Sequence, residues 1–261
     1  MLIINNLSVS LEQKDILRNI SLHIESGEFV SIIGPNGAGK STFLKAVSGL
    51  IDIRQGDITL KNKKINQYSK KELAKIITLI PQETVLQFDL SVEEMVLMGR
   101  FPYLDYWGNY TLEDRQLTGV ILEKLHIHHL SSRSFNSLSG GEKQKVLIAR
   151  ALAQDSSIIM LDETLSFLDM NHQIETMELL SKIHLEDRKT IILISHNLNL
   201  SNEYSDRIVI FKNGQLMADG TPRELINKEM LSAAFGAEID MLQNPKSGNP
   251  VIYYTRAIEG K

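Results

Sequence analysis

The segment VSIIGPNGAGKSTFLKAVS, residues 30–48, constrains this chain more than any other stretch. A short run rich in Ile and Val leads into a glycine-rich loop, and a helix-like pattern over residues 41–48 follows at once. An apolar run of that length reads as a strand buried on both faces, and the helix must pack back over it. Runs of the same kind recur at 76–80, 158–161, 191–194 and 208–211, with helical patterns at 142–152 and 171–183. Their alternation predicts an α/β sheet with helical cover.

Other stretches read differently. Residues 2–24 hold closely spaced strand-like pieces around the polar turn 12–15, as an antiparallel edge sheet does. Residues 85–137 have few β-type runs, much helical patterning and a turn cluster at 102–109, which reads as a helical subdomain inserted in the core. The expected organisation is one domain over 1–261. Its core is 1–84 and 155–230, its helical subdomain 85–154 and its C-terminal extension 231–261, where QNPKSGNP forms a loop into a last strand.

Composition narrows the class. With 261 residues, 43% of them apolar, the chain can bury a substantial core. A formal net charge of -4 provides no bulk positive field, so nucleic acid is not an expected partner. The absence of cysteine excludes disulfides and thiolate metal sites and fits a reducing compartment. No window approaches the roughly 18 to 20 apolar residues of a membrane span, and MLIINNLSVS lacks the pattern of a signal peptide. Any service to a membrane is expected from outside the bilayer.

The loop fits G-x-x-x-x-G-K-[ST] in its required context between strand and helix. Gly34, Pro35, Asn36, Gly37, Ala38 and Gly39 can wrap a phosphate chain with backbone N–H groups. Lys40 can reach the terminal phosphates, and Ser41, next to Thr42, can ligate Mg²⁺. A phosphate cradle that hydrolyses a nucleotide needs a metal-directing carboxylate and a group that orients water. Asp162 and Glu163, closing the run at 158–161, provide both: Asp162 for the metal and Glu163 for the attacking water. Without the phosphate loop, two acids at a strand end would read as ordinary solvent-facing residues. A second anion site opens the helix at 142–152, where Ser139, Gly140 and Gly141 precede Glu142.

These motifs together resemble the nucleotide-binding subunit of ATP-binding cassette transporters, in which LSGGE is the signature, GPNGAGKST the phosphate loop and IIMLDE the metal-binding strand. The resemblance covers essentially the whole chain. It implies a P-loop NTPase core of RecA-like, mainly parallel α/β type, with an N-terminal antiparallel β subdomain and an inserted helical subdomain. It implies ATP and Mg²⁺ as cofactors and a head-to-tail dimer with a second copy of the chain, each signature completing the other's ATP site. Two integral membrane permease subunits and, through them, a substrate-binding protein are the implied partners, at the cytoplasmic face of the membrane. Gln82 matches the glutamine that contacts the metal and senses the γ-phosphate, and His196 the switch histidine. Asp169, with Ser166 and Leu168, matches the loop that communicates across the dimer.

Two departures stand out. Thr164 and Leu165 replace the usual Pro and Thr after Glu163, and Leu11 occupies a place where many cassettes carry an aromatic to stack on adenine. Weaker or less base-selective nucleotide binding is expected. MVLMGRFPYLDYWGNYTLEDRQ, residues 95–116, and the tail at 235–254 resemble the importer ATPases for iron siderophores, haem and vitamin B12. Phe101, Tyr103, Leu104, Tyr106 and Trp107 are either a dock for the membrane subunits or a buried mini-core. The interval between phosphate loop and signature is too short for the coiled-coil insertion of repair ATPases, and translation factors carry two cassettes. A nucleotide switch without hydrolysis is the remaining alternative, opposed by the intact Glu163 and His196.

Overall fold

The computed structural model describes residues 1–253 except 83, 85–87, 105–107 and 238. The chain begins as a hairpin of β1 (Leu2–Leu11) and β2 (Lys14–Ile24), after which β3 (Phe29–Ile33) enters a second sheet. Helix α1 (Lys40–Val47) follows the phosphate loop, and β4 (Gln55–Leu60) and β5 (Lys63–Lys64) return to the first sheet. That sheet is antiparallel in the order β2-β1-β4-β5.

The second sheet takes its remaining strands from across the sequence. They are β6 (Ile77–Ile80), preceded by α2 (Lys70–Ala74), then β7 (Ile158–Asp162), β8 (Thr190–Ile194), β9 (Arg207–Lys212) and β10 (Gln215–Gly220). Its order is β10-β9-β3-β8-β7-β6, parallel throughout except for the antiparallel edge strand β10. The continuous apolar runs follow from burial on both faces. Ile159 and Leu161 of β7, with Ile191 and Leu193 of β8, face the helical side. Their neighbours Ile158, Met160, Ile192 and Ile194 face α1 and the antiparallel sheet. Every strand residue of β3, β7 and β8 is buried.

Between β6 and β7 lie α3 (Val92–Leu97), a 3-10 helix (Met98–Tyr103), α4 (Leu112–Lys124) and α5 (Gly140–Ala153). Ser91, Thr111 and Ser139 each start a helix by a capping box, accepting from the backbone of an acidic residue three positions on. Arg100 ties the helices of the subdomain together, donating to Asp114 of α4 at 2.8 Å and to the carbonyl of Ala153 at the end of α5 at 2.9 Å. The anticipated aromatic dock divides. Leu104 is buried and Tyr103 packs beneath the Arg100 guanidinium, whereas Phe101 is 69% exposed. Tyr106 and Trp107 lie outside the described residues.

Helix α6 (Met170–Asp187) covers the sheet on the helical side, and α7 (Leu198–Tyr204) joins β8 to β9. The last part is α8 (Pro222–Leu225), α9 (Lys228–Phe235) and a hairpin of β11 (Asp240–Gln243) and β12 (Pro250–Tyr253). The last strand anticipated after QNPKSGNP is thus β12, and it has its own partner. These elements pack on Ile208 and Ile210 through Leu225, Leu231 and Ile252. Among the described residues no helix is long and apolar enough to cross a membrane.

Candidate active site

The groups singled out in sequence converge at the carboxyl ends of neighbouring parallel strands, where open α/β sheets bind ligands. The phosphate loop leaves β3, Gln82 follows β6, Asp162 and Glu163 end β7, and His196 follows β8. Register fixes them relative to one another: β8 lies between β3 and β7, with Asp162 level with Ile194. The loop needs its glycines. Gly34 has φ +147 and Gly39 φ +95, and a Cβ on Gly34 would stand 2.1 Å from the carbonyl oxygen of Phe211.

Side-chain contacts knit the cluster. Lys40, buried, donates to the carbonyls of Gly34 at 2.9 Å and Pro35 at 3.1 Å, so its stem folds back along the loop it closes. The Ser41 hydroxyl donates to Asp162 Oδ1 at 2.7 Å. Glu163 is the hub: His196 Nε2 lies 2.8 Å from Oε1, Lys40 Nζ 3.7 Å from the same oxygen, and Gln82 Nε2 donates to Oε2 at 3.2 Å. Glu163 holds this place with φ +51, a left-handed conformation that a non-glycine residue occupies at a cost of about 1–3 kcal/mol. Burial pushes the Lys40 ammonium below its ordinary value, against the pull of Glu163. Burial raises the Asp162 carboxyl, partly offset by the Ser41 hydrogen bond.

Around these groups is an open cleft of about 650 Å³, lined by the phosphate loop, Gln82, Glu163, Ser166, Phe167 and His196. Its remaining wall is Lys14 and Ile16 of β2. Leu11, named as the base-stacking position, is 42% exposed at the end of β1 and lines no part of this cleft. It pairs with Lys14, which forms part of that wall, at the end of a β1–β2 pairing that slips register between Ile4 and Leu7, Leu7 and Val9, and Val9 and Ser10.

The loop after Glu163 lacks its proline but is anchored otherwise. Leu165 is buried in the core beneath the helical side. The Gln173 amide donates to the carbonyls of Leu165 at 3.1 Å and Leu168 at 3.0 Å, and Asn197 Nδ2 donates to Gln173 Oε1 at 3.0 Å. Thr164 is buried, and its hydroxyl has no hydrogen-bond partner among the described residues. Gln173, Asn197 and Phe167 carry no motif, and only a sheet register could have brought them to notice.

The signature residues lie elsewhere and line no part of the cleft. Ser139 caps α5, its hydroxyl accepting from the amide of Glu142 at 3.3 Å while its own amide donates to Glu142 Oε2 at 2.8 Å. Gly141 touches α6 so closely that a Cβ would lie 2.1 Å from the His172 ring. Asp169 caps α6 through the His172 amide and also lies 2.9 Å from His172 Nδ1. Gly140, Gly141, Leu168, Asp169 and His172 thus form one packed corner at the starts of two helices.

Comparison with known proteins shows the family. The ABC transporter family matches residues 17–166. The petrobactin import ATP-binding protein of Bacillus anthracis is 37% identical over 243 residues, which is 93% of this chain and 89% of that protein. A structure described as an inward-facing metal-chelate type ABC transporter superposes with a TM-score of 0.84 at 28% identity, covering 97% of both chains. A dimeric ATP-binding cassette in a post-hydrolysis state, bound to ADP and Pi, superposes with a TM-score of 0.73 at 31% identity, over 85% of this chain and 99% of that one. On its fold, the order of its motifs and these matches, the chain belongs to the ABC transporter family and is one of that family's ATP-binding subunits, an ATPase.

Proposed function

We propose that the chain powers import of an iron chelate of the siderophore type by ATP-driven closure of a head-to-tail dimer at the cytoplasmic face of a membrane. The observation that carries the hydrolytic part is the convergence of Lys40, Gln82 and His196 on the single carboxylate of Glu163. The likeness to a petrobactin importer subunit over nearly the whole chain supports the cargo class, as does the segment at 95–116.

In this reading residues 34–42 hold the phosphates of ATP, with loop amides and the α1 N-terminus facing them and Lys40 unfolding toward the terminal phosphates. Ser41 and Asp162 are hard oxygen donors already 2.7 Å apart, a pair that fits Mg²⁺. Ser41 and Asp162 would hold the ion, with Gln82 nearby through its contact to Glu163. Bound there, Mg²⁺ supplies neutralisation of phosphate charge. Glu163 accepts a proton from the attacking water as the water's oxygen bonds to the γ-phosphorus and the bond from that phosphorus to the β,γ-bridging oxygen breaks, the electron pair leaving with ADP. His196 and Gln82 orient that water and the γ-phosphate.

The signature corner serves the partner subunit. The first amides of α5, at Gly140 and Gly141, have no partner within the helix and form an anion site for the γ-phosphate bound by the second copy, beside Ser139 and Glu142. Asp169 transmits the closure between sites. Two permease subunits, which engage a substrate-binding protein, dock near Gln82 and the helical subdomain, with the exposed Phe101 as a contact.

The deciding experiment is ATP turnover at several protein concentrations beside Glu163→Gln. Turnover should rise more steeply than linearly with concentration and fall at least about 100-fold in the variant, within the range for loss of a general base. Unchanged turnover in the variant overturns the assignment of Glu163.

A further inference from the structure

The C-terminal hairpin is bound to the helix that carries the switch histidine. His196 is followed by Asn197, the cap of α7, so any displacement of α7 moves the turn that presents the imidazole. The next residue but one, Asn199, behaves like an added strand. Its Nδ2 donates to the carbonyl of Ile252 at 3.1 Å and its Oδ1 accepts from the amide of Ile252 at 2.8 Å. One turn further on, Asn202, buried, donates to the carbonyl of Pro250 at 2.6 Å. Glu203 accepts from the Ser247 hydroxyl at 3.0 Å and from Asn249 Nδ2 at 3.2 Å. Three consecutive contacts thus fasten one face of α7 to β12 and its preceding loop.

The other end of α7 reaches the reaction site. The Asn197 side chain caps α7 through its oxygen and holds Gln173 through its nitrogen, and Gln173 holds the carbonyls of the loop after Glu163. A cavity of about 440 Å³ is lined by His196, Ser166, Gln173, Leu198 and Ile252, leaving space beside the histidine turn. The turn is therefore held by hydrogen bonds from two sides and is not packed solid. A turn in that situation takes its position from its tethers, and the more distant tether is the hairpin.

We infer that Asn199 is a positioning residue for hydrolysis, and that the β11–β12 hairpin, through Asn199, sets where His196 stands relative to Glu163. The inference rests on the reading of His196 as a group that orients the γ-phosphate and water. Loosening the hairpin then slows turnover while leaving nucleotide binding alone, because among the described residues no hydrogen bond joins the phosphate loop to α7 or β12.

The test combines steady-state kinetics of the full chain with NMR of the imidazole Hε1 signals, the His196 signal being assigned by its loss in His196→Ala. Asn199→Ala should lower kcat about three- to tenfold, leave KM for ATP within twofold, and shift or broaden the His196 signal while those of His128 and His129 stay in place. Glu203→Ala, which removes only the outermost contact, should do the same more weakly and covers the case in which the Asn199 variant fails to fold. A full kcat in both variants, a fall in kcat matched by a rise in KM, or an unmoved His196 signal overturns the inference. If His196→Ala is inactive while both hairpin variants keep full turnover, the inference alone fails. If His196→Ala keeps full turnover, the reading of His196 fails and the inference with it.

Discussion

The phosphate cleft and the signature corner are both anion-binding candidates, yet they are built in opposite ways. The cleft draws on residues from 14 to 196 and exists only when β3, β6, β7 and β8 are in register. The signature turn is local: Ser139 and Glu142 satisfy one another, and the corner is completed by the start of α6. The cleft assembles side chains with competing demands, a buried cation, two acids and a backbone held at positive φ. The corner has no such conflict. A site assembled across a sheet gathers its chemistry within one chain, whereas the proposed role of a locally completed helix start is toward something another molecule brings.

Three substitutions press on this contrast. Gly141→Ala attacks the corner where it is tightest. The new methyl meets the His172 ring, and overpacking of this kind costs about 1–3 kcal/mol. Thermal midpoint should fall and dimer formation with ATP should weaken, with monomer nucleotide affinity unchanged. The double variant Gly141→Ala with His172→Ala should recover most of the loss. Lost nucleotide affinity in the single variant would show that corner and cleft are not separate.

Thr164→Val tests the cleft side. A buried hydroxyl without a partner loses hydration and gains nothing, so its removal should be neutral or should stabilise the fold by up to about 1 kcal/mol. Denaturant unfolding with unchanged turnover is the expected pair of results; a clear loss of stability would mean that the hydroxyl has a partner in solution.

The smallest effect is electrostatic. Hydrogen bonds from the Ser139 amide and hydroxyl hold the Glu142 carboxyl below its usual value, so its contribution is present above the unfolded value and fades as pH falls through the lowered folded one. Glu142→Gln should cost a few tenths of a kcal/mol at pH 7, as expected for a charge at a helix start. The gap to the unmodified chain should close as pH falls below the ordinary glutamate range, as read by unfolding midpoints across pH. A gap that persists at low pH would mean that the turn depends on shape alone.

The same contrast decides what the amino-acid order made legible. Strands buried on both faces cannot hide, because every residue of β3, β7 and β8 must suit a buried sheet. Asp162, Glu163 and His196 lie at or just past the ends of such runs, and Lys40 was marked by the glycine-rich pattern between β3 and α1. Leu11 stands opposite Lys14 of the cleft wall, at the end of an antiparallel pair whose register slips make facing hard to read from composition. The C-terminal extension was weakest, since β11 and β12 are four residues each and β12 is held by Asn199 and Asn202 on a distant helix. Asparagine on a helix carries no such message by itself. Leu165, a departure from the usual Thr, is buried in the core on the helical side.

One feature of the central sheet bears on how such a chain survives in a crowded cell. Its outer strand β10 alternates exposed and half-buried residues, ends in Asp219 and Gly220, and has Asp219 paired with Arg207 of β9. The opposite edge, β6, is only four residues long. A short edge and a charged edge are poor templates for strand addition. A subunit proposed to meet its own kind repeatedly by one face is thereby discouraged from doing so by another, so repeated association need not drift into aggregation.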